Sequence, residues 1–400
     1  MHFFTALSLA ALGASTASAG CHRRHHAKIA ASISASGSSS SSIQAASSTA
    51  SSASQADATV AVQYAASTAS SASQADATVA VQYAAKGSAA SGSSWKASST
   101  ASSSSAASTP SSSSSGSIGW GLNGLKKNGI SFGWLPDDGS GGGTATTIQQ
   151  IEAAVGQKTS AQGWYAQAQS GTLFDGGQFS YRKDQILSGG VFQPAVMPTG
   201  GWWGLTYQDN QQAVAICNVM KEYTDAGVEV WLRFAHEVNY YQQDGTYQGG
   251  VSDFKEGWDV VAKACRQIAP KVKMWFTPNV ASLDQYEQYF PDDPSTVDLI
   301  GVDWYPQQTD NFDFATGPAS MKAFHDKYTS SNGIKFAIGE IGLGQAAPIA
   351  ARVAWLENIL ASGPQMPNMI AVSWFNYMKG YDFRIAVCAG DWATKSFFAA

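Results

Sequence analysis

The most informative stretch of the chain is Val228-Glu229-Val230-Trp231-Leu232, which runs directly into Arg233-Phe234-Ala235-His236-Glu237. Its almost continuous apolar character is typical of a strand in a parallel sheet that is covered on both faces. A second stretch of this kind, Phe336–Glu340, also ends on a carboxylate where the strand gives way to a loop. The two stretches predict a parallel sheet with one glutamate at the carboxyl end of each of two strands.

Eight apolar, β-rich runs recur after residue 118, and helical patterns separate them. The predicted strands are Ile130–Trp134, Ser160–Tyr165, Val191–Val196, Glu229–Phe234, Lys273–Phe276, Leu299–Asp303, Phe336–Glu340 and Met369–Phe375. The clearest predicted helices are Asn210–Ala226, Phe254–Ile268, Ser320–Thr329 and Ile349–Ala361. Alternation of this kind over roughly 280 residues predicts an α/β fold, a (β/α)8 TIM barrel spanning 118–400. An open, doubly wound sheet is the alternative, although no Gly-x-Gly-x-x-Gly turn follows the first strand.

The residues before the barrel have a different composition. Residues 1–19 combine a short apolar stretch with a small-residue cleavage site, which predicts a secretory signal peptide. Residues 20–117 are dominated by Ser and Ala, and Ser48–Ala66 is repeated unchanged as Ser67–Ala85. So few large apolar side chains predict a disordered, O-glycosylated stalk. We therefore expect a secreted protein, extracellular or in the cell wall, whose stalk either contacts wall material or only spaces the domain.

Charge and cysteine content narrow the classes of partner. The net charge of −5 and the pI near 5.7 argue against nucleic acid as a partner, and no segment after the signal peptide is apolar enough to span a membrane. Cys217 and Cys265 fall in consecutive predicted helices that would be neighbours in a barrel, which predicts a disulfide. We expect a monomer that acts on a polysaccharide.

The active site of such a barrel forms where its strands end, so the residues after each run are the candidates. They are Asp137, Asp138, Trp202, Trp203, Arg233, His236, Glu237, Asn239, Asn279, Asp303, Trp304, Tyr305, Glu340, Trp374 and Asn376. Two glutamates among amides and rings suit cleavage of a glycosidic bond, which needs one carboxyl as proton donor and one as nucleophile or base. Arg233 and Tyr305 are candidates for keeping the second carboxylate ionised. Both are also candidate substrate-binding residues, together with His236, Asn239 and Asp303. The tryptophans are candidate platforms for sugar rings, and Asp303 is a candidate hydrogen-bond partner in the pocket wall.

These motifs resemble those of clan A retaining glycoside hydrolases, in particular glycoside hydrolase family 26, which includes β-mannanases and related β-glycanases. The Arg-Pro-x-His-Glu-x-Asn pattern of that family matches Arg233–Asn239, and its Gly-Glu matches Gly339-Glu340. Its Asp-x-Tyr matches Asp303-Trp304-Tyr305. Its Trp-Phe-Asn and the following Asp-x-Arg match Trp374-Phe375-Asn376 and Asp382-Phe383-Arg384. The four motifs occur in the expected order.

The resemblance implies a retaining endo-β-glycosidase with Glu237 as acid/base and Glu340 as nucleophile, acting without a cofactor. It further implies that Tyr305 hydrogen-bonds the nucleophile, that Trp374 floors the sugar site, and that the carboxyl groups lie about 5–5.5 Å apart.

The sequence departs from the family pattern at Phe234, which replaces Pro, and after the third strand, where no His accompanies Trp202 and Trp203. The substrate therefore remains open between β-mannan and another β-glycan such as a wall glucan. A catalytically silent carbohydrate-binding wall protein is the alternative function.

Overall fold

The computed structural model describes residues 120–307, 313–330, 333–344 and 347–400. The predicted signal peptide (1–19) and the Ser/Ala-rich stalk with its repeat (20–117) lie outside the described residues and stay predictions. Within the described ranges, no helix is both long enough and apolar enough to cross a membrane.

Eight parallel strands of the described chain form a closed barrel, in which they follow one another in sequence order. They are β2 (Ile130–Pro136), β3 (Ala161–Gln167), β4 (Val191–Met197), β5 (Trp231–Phe234), β6 (Lys273–Phe276), β7 (Leu299–Ile300), β8 (Lys335–Ile341) and β9 (Met369–Asn376). A short strand β1 (Lys126–Lys127) runs antiparallel to β2. The barrel closes because β9 pairs in parallel with β2, with Trp374 opposite Trp134. This closure confirms the (β/α)8 prediction and makes the open, doubly wound alternative wrong.

Helices cover the outside of the barrel and connect successive strands. In the described ranges they are α1 (Ile148–Val155), α2 (Gly177–Ser180), α3 (Lys183–Leu187), α4 (Gln211–Asp225), α5 (Val238–Tyr241), α6 (Val251–Ile268), α7 (Leu283–Tyr289), α8 (Met321–Thr329), α9 (Ile349–Ala361) and α10 (Trp392–Ala399). A hairpin of β10 (Met378–Lys379) and β11 (Tyr381–Asp382) follows β9. The predicted disulfide is confirmed, because Cys217 on α4 is bonded to Cys265 on α6.

Two predicted strands are longer than those of the structure. The fourth, expected over Glu229–Phe234, is regular only over Trp231–Phe234. The sixth was expected to cover Leu299–Asp303, but regular pairing in β7 ends at Ile300. There the backbone of Gly301 lies so close to β8 that a Cβ atom would stand 1.7 Å from the carbonyl oxygen of Ala337. Beyond this point a single bridge between Asn279 and Asp303 keeps the chain beside β6.

The inside of the barrel is layered, as the alternation of side chains along a strand requires. The lowest layer is apolar and comprises Ala161, Val191, Trp231, Trp275, Leu299, Ala337 and Ala371. Above it Ser373 donates a hydrogen bond to Gln193 over 2.6 Å. Higher still lie the side chains of Arg233, Asp303 and Glu340, all buried. The polar groups therefore collect at the carboxyl ends of the strands.

Candidate active site

Two glutamates meet at the carboxyl ends of β5 and β8. Glu237 follows β5, and Glu340 is the penultimate residue of β8. One carboxylate oxygen of each lies within 4.8 Å of the other, and both residues are almost completely buried, at 1% and 2% exposure. The barrel thus brings together two carboxyl groups that are more than a hundred positions apart in the chain.

The Arg233 guanidinium holds Glu340 in place from inside the barrel. Its Nη1 donates to Glu340 Oε1 over 2.9 Å, its Nη2 contacts the Asp303 carboxylate, and its Nε donates to Thr277 Oγ1 over 3.2 Å. Gly339 makes room for this cluster, since a Cβ there would stand 2.6 Å from both Arg233 Nε and Asp303 Oδ1. The Gly-Glu motif is therefore a packing requirement of the buried ion pairs.

These contacts keep Glu340 ionised. Burial by itself raises the pKa of the Glu340 carboxyl, but the charge of Arg233 and the hydrogen bonds from Arg233 and Tyr305 together outweigh it and leave the pKa below 4.5. The Tyr305 hydroxyl donates to Glu340 Oε2 over 2.5 Å. Both oxygens of Glu340 consequently have a donor, and the carboxylate is fixed in orientation.

Glu237 has the opposite electrostatic environment. Burial raises the pKa of its carboxyl from 4.5 to about 7, and the nearby charge of Glu340 adds to the increase. Asn279 Nδ2 donates to Glu237 Oε1 over 2.8 Å, which opposes part of that rise. Asn239 positions Asn279, because its side chain pairs with the backbone of Asn279 through hydrogen bonds of 2.8 and 3.0 Å. Below about pH 7 Glu237 therefore holds its proton while Glu340 is ionised.

The backbone that carries Glu237 is strained. Ala235 and Glu237 both adopt the left-handed region, with φ of 50° and 51°. Such a conformation costs a residue with a Cβ about 1–2 kcal/mol. Pairing of the Glu237 N–H with the Thr277 carbonyl oxygen at 2.7 Å helps to maintain it. Non-glycine residues in this region often occur at functional sites.

His236 lies beside Glu340 and stays neutral. Burial and the Arg233 charge lower the pKa of its imidazole to about 3, although Glu340 acts in the other direction. Its Nε2 is 3.6 Å from Glu340 Oε1, which is too long for a hydrogen bond, and because the imidazole is neutral the contact is not a salt bridge either. His236 therefore contributes shape and a ring face to the site rather than charge.

A narrow cavity opens beside Glu340. It is lined by Asp138, Ser140, Tyr165, Met197, His236, Tyr241, Glu340, Phe375, Tyr377 and Lys379. The volume that the centre of a water molecule can occupy is only about 20 Å³, so the cavity has room for one or two waters. A sugar ring needs more space than that, so the site is nearly closed in this conformation.

Two segments far apart in sequence cover the cavity. One is the glycine-rich loop Gly139–Gly143 after β2, and the other is the hairpin that contains Lys379. The buried carboxylate of Asp137 connects them, accepting from the Gly139 N–H at 2.8 Å and from the Met378 N–H at 2.9 Å. A backbone bridge between Gly142 and Lys379 completes the cover.

The predicted tryptophans lie outside this cavity. Trp304 and Trp374 are 1% and 0% exposed and point toward the helices, because each alternates with an inward-facing neighbour. Trp304 packs against Trp355 with ring centroids 5.2 Å apart, and the Trp374 Nε1–H donates to the Phe383 carbonyl oxygen. Trp202 is half-buried against Phe254 and donates to the Gln248 carbonyl oxygen, and Trp203 is also half-buried. Trp374 therefore does not floor the cavity here; Phe375 lies at that position.

Several lining residues were missed by the sequence reasoning. Tyr165 ends the second predicted strand, so its place at a strand end could have identified it. Tyr241, Tyr377 and Lys379 belong to loops and short elements that no strand pattern marks. Arg233 and Asp303, expected to bind substrate, are wholly buried behind Glu340 and act on it rather than line the cavity.

Oxygens of three carboxylates, Glu237, Asp303 and Glu340, lie within 4.8 Å of one another, a spacing that could hold a cation. The Arg233 guanidinium already contacts two of the three and supplies the opposing charge. We assign no metal to this cluster.

Comparison with known proteins gives similarity at the level of fold. No protein-family model matches the sequence, and no curated protein matches it either. A modular endo-β-1,4-mannanase from Cellulomonas fimi, whose description concerns glycoside hydrolase family 26 mannanases, is 19% identical, with a TM-score of 0.50; the match covers 68% of this chain and 70% of that one. The YdhT protein from Bacillus subtilis is 18% identical, with a TM-score of 0.48, over 68% of this chain and 85% of that one. The resemblance predicted from the motifs is confirmed as a similarity of fold.

Proposed function

We propose that the chain is a secreted retaining endo-β-glycosidase that hydrolyses a β-linked polysaccharide of the β-mannan or β-glucan class. Glu237 is the acid/base and Glu340 the nucleophile. The observation that carries this proposal is the carboxyl pair, whose oxygens lie within 4.8 Å and whose pKa values are shifted in opposite directions. A separation of about 5–5.5 Å between carboxyl groups is that of double displacement, whereas inverting enzymes leave room for a water molecule between them.

Each carboxyl group has the protonation state that its step needs. Glu237, protonated near neutral pH, gives its proton to the glycosidic oxygen as the bond to the leaving group breaks. Glu340, ionised and held by Arg233 and Tyr305, forms the bond to the anomeric carbon. Glu237 then takes a proton from water, and that water releases the sugar from Glu340 with the anomeric configuration retained.

Binding of a polysaccharide requires the cover of the cavity to move. The glycine-rich loop and the hairpin that contains Lys379 meet over Glu340, and they are joined by the Asp137 carboxylate and one backbone bridge. Loops that close over substrate and exclude water are common in enzymes. We propose that the polysaccharide enters when these two segments separate, and that the closed form excludes bulk water from Glu340.

Activity on a panel of mannan, mixed-linkage glucan, β-1,3-glucan and xylan tests the proposal. The wild-type chain should cleave one class with net retention, read by NMR of the first product. Glu340→Gln should abolish cleavage and preserve binding of the same polysaccharide. Glu237→Ala should be rescued by azide, which yields the β-glycosyl azide, while Glu340→Gln should not. Inversion, or full activity of Glu340→Gln, would refute the assignment.

The second candidate is a carbohydrate-binding wall protein without catalytic activity. The narrow cavity is the observation behind it, because about 20 Å³ beside Glu340 admits no sugar ring to the nucleophile, whereas binding of a polysaccharide elsewhere on the domain surface does not need that cavity. Binding of a polysaccharide with no cleavage of any member of the panel, by the wild type at several pH values, would support this candidate over the first.

Secretion is part of the proposal and rests on residues 1–19. Expression in a eukaryotic secretory host should yield medium-borne protein whose N-terminus begins near residue 20. Retention of Met1 in the secreted product would contradict it. We also propose that the stalk contacts cell-wall material. A pull-down with cell-wall material, in which the protein with residues 20–117 is compared with the protein without them, measures this contact.

A further inference from the structure

Two tyrosine hydroxyls in the cavity wall have no hydrogen-bond partner among the described residues. They are those of Tyr165, at the end of β3, and Tyr377, directly after β9, and both hydroxyl oxygens are buried. Both residues line the cavity together with Glu340. A buried polar atom without a partner is costly, and such an atom in a protein requires an explanation.

The rings are held firmly without help from the hydroxyls. Tyr377 stacks on Phe375 with centroids 4.2 Å apart and planes 8° from parallel. Tyr165 packs edgewise on Tyr377 at 6.4 Å and against His236 at 5.6 Å. Phenylalanine would make the same ring contacts, so packing alone does not account for the two oxygen atoms.

The catalytic carboxylate does not need these hydroxyls either. Arg233 donates to one oxygen of Glu340, and Tyr305 donates to the other. Burial raises the pKa of both hydroxyls well above 10; for Tyr165 the charge of Glu340 and a weak polar contact with its carboxylate add to the rise, and for Tyr377 the charges of Asp138, Asp137 and Glu340 do. Both hydroxyls therefore keep their protons, and each can donate one hydrogen bond as well as accept.

We propose that Tyr165 and Tyr377 are specificity-determining residues that hydrogen-bond ring hydroxyls of the sugar unit seated against Glu340. The inference rests on the proposed function and extends it to recognition of the sugar. A site built with buried polar groups for particular hydroxyls discriminates strongly against an analogue that lacks one, because the protein group is then left unpaired. Since Tyr165 adjoins Glu340, its partner is a hydroxyl near the reacting carbon.

The test combines two substitutions with changes in the substrate. Tyr165→Phe and Tyr377→Phe are assayed on an aryl β-glycoside of the sugar that the wild type cleaves, and on its monodeoxy analogues. Each variant should lose about 10- to 100-fold in kcat/KM on the parent sugar. On the one analogue that lacks the partner hydroxyl, wild type and variant should be equal within about twofold. The intrinsic reactivity of the deoxy sugar is the same for wild type and variant, so it cancels when the two proteins are compared on one substrate.

Tyr240→Phe is the matched control. Its hydroxyl is also buried without a protein partner, but Tyr240 does not line the cavity. It should leave kcat/KM within about twofold of wild type on every substrate. Thermal unfolding should show Tyr165→Phe and Tyr377→Phe to be as stable as wild type or more stable, because each removes an unpaired polar atom.

The outcomes separate this inference from the proposed function. If the parent glycoside is cleaved but no deoxy analogue restores equality between wild type and variant, the tyrosines do not read hydroxyls and the inference alone is overturned. If no glycoside is cleaved, wild type and variants are compared in the same way by their binding of the parent and deoxy sugars, measured by calorimetry. Binding that both phenylalanine variants leave unchanged overturns the inference together with the enzymatic proposal.

Discussion

Replacing Glu237 with Gln removes a buried ionisable group while keeping its size, and this tests the electrostatics of the site in the absence of any substrate. In the folded chain the pKa of the Glu237 carboxyl is raised from 4.5 to about 7, because the group is buried and Glu340 is ionised beside it. A carboxyl whose pKa is higher in the folded than in the unfolded state stabilises the fold fully below the unfolded pKa. That stability is lost as the pH rises through about 7.

The size of the effect follows from the two pKa values. The difference between 4.5 and about 7 corresponds to about 3 kcal/mol in the free energy of unfolding. Between about pH 4 and about pH 8.5, the wild type should therefore lose about 3 kcal/mol relative to Glu237→Gln. The variant should be the more stable protein above neutral pH. Its amide oxygen can still accept from Asn279, so the Asn279 donor keeps its partner.

Chemical denaturation followed by tryptophan fluorescence at a series of pH values measures this difference. Other titrating groups are common to both proteins and cancel. Glu357→Gln, on the exposed face of α9, makes the same chemical change in solvent and should follow the wild type at every pH. Parallel curves for wild type and Glu237→Gln would show that Glu237 ionises at its ordinary pKa, and the proton-donor role would lose its physical basis.

Three further outcomes test other parts of the site. For the cleaved substrate, kcat/KM should fall above about pH 7, where Glu237 loses its proton, and again on the acid side of the ordinary glutamate value of 4.5, where Glu340 takes up a proton; a profile flat across pH 7 contradicts this. Gly339→Ala should destabilise the fold by about 3–5 kcal/mol in denaturant, because the added methyl enters the buried ion cluster, and wild-type stability would refute that role of the glycine. Gly142→Cys combined with Lys379→Cys should join the two covering segments when oxidised, so that cleavage stops and returns with reductant.

Controls keep the last two predictions specific. Gly250→Ala adds a methyl where the nearest neighbour would be 3.9 Å away, and it should cost much less than Gly339→Ala. Each single cysteine variant should have an activity that reductant does not change. Full cleavage by the oxidised double variant, with the disulfide verified by mass spectrometry, would mean that the two segments need not separate.

The sequence predicted which end of the barrel carries Glu237 and Glu340, but it gave no information about the direction in which side chains point. Glu237 and Glu340 follow apolar runs, so their place at one end of the barrel could be expected. Trp304 and Trp374 also lie at strand ends, but successive side chains on a strand point to opposite faces. A shift of one position therefore places Phe375 in the cavity and Trp374 among the helices. Apolar runs without alternation carry no information about that choice.

By itself, the sequence determined the eight-stranded barrel, the disulfide between two neighbouring helices and the end of the barrel that carries the carboxyl groups. These follow from patterns that repeat locally along the chain. Only the tertiary structure decided that Arg233 lies between Asp303 and Glu340, and that the pKa values of the two glutamates diverge. It also decided that a loop after the first barrel strand and a hairpin after the last close over Glu340. The reason is physical: burial, the distance between charges and the meeting of remote loops depend on how distant segments pack, and no local pattern encodes that.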